Sequence, residues 1–89
     1  MPTFDDLVFH PDFEAHQSAA GRRVVTVGEA DDAWYGHRTF VRNRRRRDAT
    51  FLMLGRTTGG RDITVVVLRT AIPGTWVAYT AWDAQPGGV

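Results

Sequence analysis

The chain contains no cysteine and no lysine in its 89 residues. The first absence excludes disulfides, thiolate nucleophiles and cysteine-held zinc. The second makes all 11 basic residues arginine. That uniformity reflects either a GC-rich genome or a use for the guanidinium fork, which keeps its charge and meets phosphate oxygens bidentately. Long hydrophobic runs are missing too. None approaches the ~20 residues needed to span a bilayer, and the N-terminus lacks a charged region followed by an apolar one. The expectation is a cytoplasmic protein with no membrane partner. His10, His16 and His37 have no metal-like spacing, and Thr57-Thr58-Gly59-Gly60-Arg61 has neither the spacing nor the following helix of a nucleotide loop. No metal or cofactor is expected.

What is present suffices for one folded unit, with a domain over 1–84 and a tail over 85–89 that has no reason to be ordered. Hydrophobic residues make up 43% of the chain, with three Trp, two Tyr and five Phe. That is enough for a core and argues against global disorder. The net charge of +1 hides an asymmetry. Residues 1–37 carry two arginines against seven acids, whereas residues 38–89 carry nine arginines against three. Either the two halves face different partners, or they neutralise each other across the fold.

The periodicity changes near Arg38. Before it, Leu7-Val8-Phe9 reads equally as a short strand or a helix start. Pro11 is suited to a first helical turn with Asp12 and Glu14 favouring the dipole, giving a helix of roughly 11–19. Thr26 to Glu29 fits a capping box, with Ala30, Ala33 and Trp34 following at helical spacing and Gly36 closing the helix. After Arg38 the period is two, and Thr39–Arg42, Thr50–Arg56, Asp62–Arg69 and Thr75–Trp82 read as strands. Asn43 to Asp48, Thr57 to Gly60 and Ile72-Pro73-Gly74 join them. The pattern predicts an α+β fold: two N-terminal helices followed by a four-stranded antiparallel sheet.

The candidate site is the arginine-rich hairpin of strands 50–56 and 62–69. Arg42, Arg44, Arg45, Arg46 and Arg47 cluster at its first connection, where like charges repel unless an anion arrives. They are either a solvated patch or contacts to an RNA backbone. Arg56 and Arg61 flank the tight turn, as a phosphate clamp or as ion-pair partners of the acidic helices. Arg69 ends the same strand pair. His37, just before the basic sheet, is the histidine best placed for proton transfer. On strict alternation Trp76 and Trp82 share one face and Tyr79 takes the other. Trp82 is a candidate for base stacking.

Four motifs carry a family resemblance: Val25-Thr26-Val27-Gly28-Glu29-Ala30, Gly55-Arg56-Thr57-Thr58-Gly59-Gly60-Arg61, Ile63-Thr64-Val65-Val66-Val67 and Tyr79-Thr80-Ala81-Trp82. Together they make Val25 to Ala84, about two thirds of the chain, similar to the BrnT-type toxins of bacterial type II toxin–antitoxin systems. The resemblance implies a RelE-like ribonuclease fold, RNA cleavage without a metal, and a small DNA-binding antitoxin as protein partner. It assigns Arg56 and Arg61 to the family's functional arginine motif. The chain departs from the pattern at Arg22-Arg23, where the family has Lys-His, at Trp82, where it has Arg, and in its final residues, where it has a charged helix. A non-catalytic RNA- or ribosome-binding module and a protein-interaction domain are the alternatives on the same scaffold.

Overall fold

The computed structural model describes residues 2–19, 24–42 and 51–83. The elements in order are β1 (Asp6–Phe9), α1 (Phe13–Ala19), α2 (Val27–Trp34), β2 (His37–Arg42), β3 (Phe51–Arg56), β4 (Asp62–Arg69) and β5 (Thr75–Asp83). The strands form one sheet in the order β1-β5-β4-β3-β2. β2 to β5 make an antiparallel meander, and β1 lies parallel to β5. The expectation of two leading helices and a four-stranded antiparallel sheet is therefore corrected. The sheet is mixed, has five strands, and begins before the helices.

The physical reason lies at the edge of β5. Three apolar residues are too few for periodicity to separate a strand from a helical turn. Tertiary pairing decides, because β1 gives hydrogen-bond partners to a strand edge that would otherwise be bare. The Asp5 and Asp6 N–H groups both donate to the Gly74 carbonyl, at 2.7 and 3.0 Å, and the His10 N–H donates to Ala78 at 2.9 Å. Gly74 sits at φ +85°, and a Cβ there would collide with the Asp5 carboxylate. The turn that aligns β1 with β5 thus requires glycine.

α2 begins as the capping box predicts. Thr26 Oγ1 accepts from the Glu29 N–H at 3.1 Å, and Glu29 Oε1 accepts from the Thr26 N–H at 3.1 Å. Two orphan helix donors are satisfied reciprocally. α1 starts two residues after Pro11, which joins Asp12 in a turn where the Asp12 N–H donates to His10 Nδ1 at 3.1 Å.

Both helices pack on one face of the sheet. Phe13 of α1 and Ala30, Ala33 and Trp34 of α2 meet Leu7, Met53, Ile63, Val65, Val67, Trp76 and Ala81 in a single core. Phe4 joins the same layer, stacked on Phe40 with ring centroids 3.6 Å apart. The layers approach closely at Gly55, where a Cβ would lie 2.9 Å from the Ala33 Cβ. Ile63, Val65 and Val67 face this core, so Thr64, Val66 and Leu68 face the other way.

β5 carries a bulge. Val67 pairs with Ala78 but Val66 pairs with Thr80, leaving Tyr79 as the extra residue. The insertion resets the alternation. Ala78 and Ala81, three apart, are both in the core, and Trp76 and Trp82 lie on opposite faces. Trp76 is buried against the helices, whereas Trp82 stands beside Thr64 on the far face. The shared face expected for the two tryptophans is corrected by this single residue.

Candidate nucleic-acid interface

The β2–β3–β4 ladder brings together two of the residues singled out by sequence. His37 is the register partner of Arg56, and Arg56 is the register partner of Asp62. The three form a cross-strand row at the turn end of the sheet, on the face away from the helices. Arg56 grips Asp62 with two hydrogen bonds, Nε to Oδ1 at 2.7 Å and Nη2 to Oδ2 at 3.1 Å. Both side chains are exposed. The hydrogen bond to Asp62 raises the Arg56 pKa above its ordinary value, and the same bond holds the Asp62 carboxyl below the usual carboxylate range.

Arg61 is placed differently. Its side chain is only 9% exposed and lies on the helix side of the sheet. Nε donates to Asp83 Oδ1 at 2.5 Å, while Nη1 donates to Glu29 Oε1 at 2.7 Å and to the Val24 carbonyl at 2.9 Å. The Asp83 hydrogen bond is the chief reason its pKa is raised. Burial alone would push the Glu29 carboxyl up. The hydrogen bonds from Arg61 and the Thr26 backbone outweigh it, so the carboxyl sits below its ordinary range. Arg61 thus ties the N-terminus of α2 to the end of β5, the ion-pairing alternative for this residue. Its Nη2 is buried without a hydrogen-bond partner.

Arg42 and Arg69 lie at the opposite end of the sheet. Arg42 pairs in register with Phe51 and stacks over its ring at 5.8 Å. Arg69 lies over Trp76 at 5.5 Å, beside a cleft of about 300 Å³ against the N-terminal segment. Asp62 and Arg69 bound an eight-residue strand, so this end lies roughly 20 Å from Arg56. Arg38 stacks on Trp34 and Phe40 and donates to the Phe4 carbonyl at 2.8 Å. Arg44, Arg45, Arg46 and Arg47, the Arg22-Arg23 pair and the tail 85–89 lie outside the described residues.

One grouping escaped the sequence. His10 and His16 both pack on Tyr79, with ring centroids 5.3 and 4.7 Å apart. The two histidines are separated by the Pro11 turn, and Tyr79 owes its position to the bulge. Neither feature has a pairwise spacing signal. Among the described residues, no set of three or more His, Asp or Glu is arranged to hold a metal ion, and no helix is long and apolar enough to cross a membrane. No family model matches the chain, and no curated protein or solved structure is detectably similar to it.

Proposed function

We propose that this chain acts on RNA as the toxin of a type II toxin–antitoxin pair, as a metal-independent endoribonuclease held by a small DNA-binding antitoxin. The observation that carries the reading is the row His37–Arg56–Asp62, which sets an exposed imidazole beside an exposed guanidinium on neighbouring strands. In this reading the RNA 2′-hydroxyl attacks its own phosphate. Arg56 leaves Asp62 to neutralise the developing charge on the phosphate oxygens, and His37 takes or returns the proton. Exposed ion pairs contribute little to stability, so exchanging Asp62 for a phosphate costs the fold little. Arg42, Arg44 to Arg47 and Arg69 hold the flanking backbone, and Trp82 offers a ring to a base.

A second reading, a non-catalytic RNA-binding module, draws support from Arg61. A guanidinium committed to Glu29 and Asp83 leaves the clamp with one arginine. Inducible expression in bacteria, with growth and total RNA integrity followed together, separates the two. Growth arrest with RNA fragmentation, abolished by Arg56→Ala and reduced by His37→Ala, supports the toxin. Intact RNA and normal growth at high expression overturn it, and retained RNA affinity then favours the binding module.

A further inference from the structure

The clamp arginine of the proposed site is already occupied. Nε and Nη2 of Arg56 meet both oxygens of the Asp62 carboxylate, at 2.7 and 3.1 Å. A guanidinium takes two oxygens of a phosphate with the same fork. The carboxylate therefore stands where a phosphate held by Arg56 would have to sit. The pair lies at the surface, its side chains 61 and 50% exposed, so a ligand arriving from solvent meets it directly.

The backbone leading into Asp62 is fixed by the hairpin turn. The Thr57 N–H donates to the Arg61 carbonyl at 2.9 Å, and the Arg61 N–H donates to Thr57 Oγ1 at 3.1 Å. The Thr58 N–H and hydroxyl both donate to Asp32 Oδ2 of α2, at 2.8 and 3.0 Å. The Arg61 side chain is anchored on the helix side by Glu29 and Asp83. Alternation along β4 then sets Asp62 on the far face, in register with Arg56, whose other neighbour is His37. A tethered carboxylate competes at a high effective concentration and does not diffuse away when displaced.

We infer that Asp62 is a specificity-determining residue of this site, a built-in stand-in for phosphate. It keeps the Arg56 fork closed to small free phosphates and yields it to a ligand with further contacts. The inference rests on the reading of Arg56 as a phosphate clamp. Every ligand of the fork must first displace the carboxylate, and an exposed pair of this kind holds with an equilibrium constant of about three to five. A free phosphate has only the fork and His37 to offset that displacement, and Asp62 still repels it from close by. A polymer gains from several phosphates at once, so the same penalty leaves its binding intact. Arg56 and Asp62 each favour the other's charged form, so in the neutral range the fork opens by competition and not by a change of pH.

Titration with inorganic phosphate at constant ionic strength, followed by NMR on the Arg56 Nε–H and the His37 amide, tests it. Asp62→Asn keeps the size of the side chain and removes its charge. It should lower the phosphate midpoint about three- to fivefold, the displacement factor of an exposed pair, with the other backbone amides unmoved. Glu14→Gln makes the same charge change on α1, across the sheet, and should leave the midpoint where it is. In an Arg56→Ala background, read on the His37 amide, Asp62→Asn should bring no gain. An unchanged or raised midpoint in Asp62→Asn, an equal drop in Glu14→Gln, or the same gain without Arg56 overturns the inference. A labelled RNA titrated in parallel separates this result from the functional reading. If Asp62→Asn lowers the phosphate midpoint while neither it nor the wild type binds RNA, the RNA assignment fails and the role of Asp62 stands.

Discussion

At the scale of single residues, Arg56 and Arg61 show how one motif divides into two tasks. They flank the same turn, yet Arg56 lies exposed against Asp62 and Arg61 is half-buried between Glu29 and Asp83. Removing Arg61 would strand two carboxylates at the junction of α2 and β5. Arg61→Met should therefore cost about 1–2 kcal/mol in urea unfolding, because its carboxylate partners stay partly in solvent and such charged hydrogen bonds are screened there. Any loss of toxicity in that variant would report misfolding. Arg56→Ala should leave the unfolding midpoint nearly unchanged, which makes it the clean probe of function. The pH dependence follows from Glu29. Its folded pKa is lowered, so the native state binds fewer protons than the unfolded chain. The stability this gives is complete above the ordinary value of 4.5 and falls as pH drops below it. Thermal melts from pH 6 to pH 3 should show that decline, and Arg61→Met should flatten it. An equally steep decline in the variant would place the acid sensitivity elsewhere.

At the scale of elements, α2 packs tightly on β3 at Gly55. A side chain at Gly55 would meet Met53 Sδ at 2.7 Å, Ala33 Cβ at 2.9 Å and the His37 carbonyl at 3.1 Å. Met53 can shift, but the helix residue and the strand carbonyl cannot move without reopening the layer. Gly55→Val should destabilise by roughly 1–3 kcal/mol, the usual cost of overpacking. A midpoint equal to the wild type in chemical denaturation would refute that view of the helix–sheet contact. Elements with a local signature were legible in the sequence. The capping box set the start of α2, and the period of two set β3 and β4 and put Ile63, Val65 and Val67 on one face, which the structure turns toward the helices. Elements decided by distant partners were not. β1 is a strand because β5 needs a neighbour, and Trp82 changes face because Tyr79 is an extra residue. The His37–Arg56 row was half legible: both residues were singled out, but only the pairing register makes them neighbours.

At the scale of the whole molecule, charge divides along the chain, acidic before Arg38 and basic from it onward, and this sets what an RNA ligand would experience. The candidate phosphate contacts are Arg42, Arg44 to Arg47, Arg56 and Arg69. For a single strand, log affinity falls with log salt at a slope of about 0.7 per neutralised phosphate. Seven contacts would give a slope near −5, or roughly a 1000-fold loss between 50 and 200 mM salt. Replacing Arg44 to Arg47 by Ser should bring the slope to about −2. Arg56→Ala should weaken binding by about one contact. If it also abolishes cleavage, Arg56 acts at the transition state beyond simple binding, since losing one charge-stabilising donor costs roughly 100- to 1000-fold in rate. Fluorescence anisotropy with a labelled RNA, titrated across salt for the wild type and both variants, measures the slopes. An unchanged slope in the Arg44 to Arg47 variant would remove the connection from the interface. The binding surface would then have to lie with His37, Arg56 and the remaining candidate arginines.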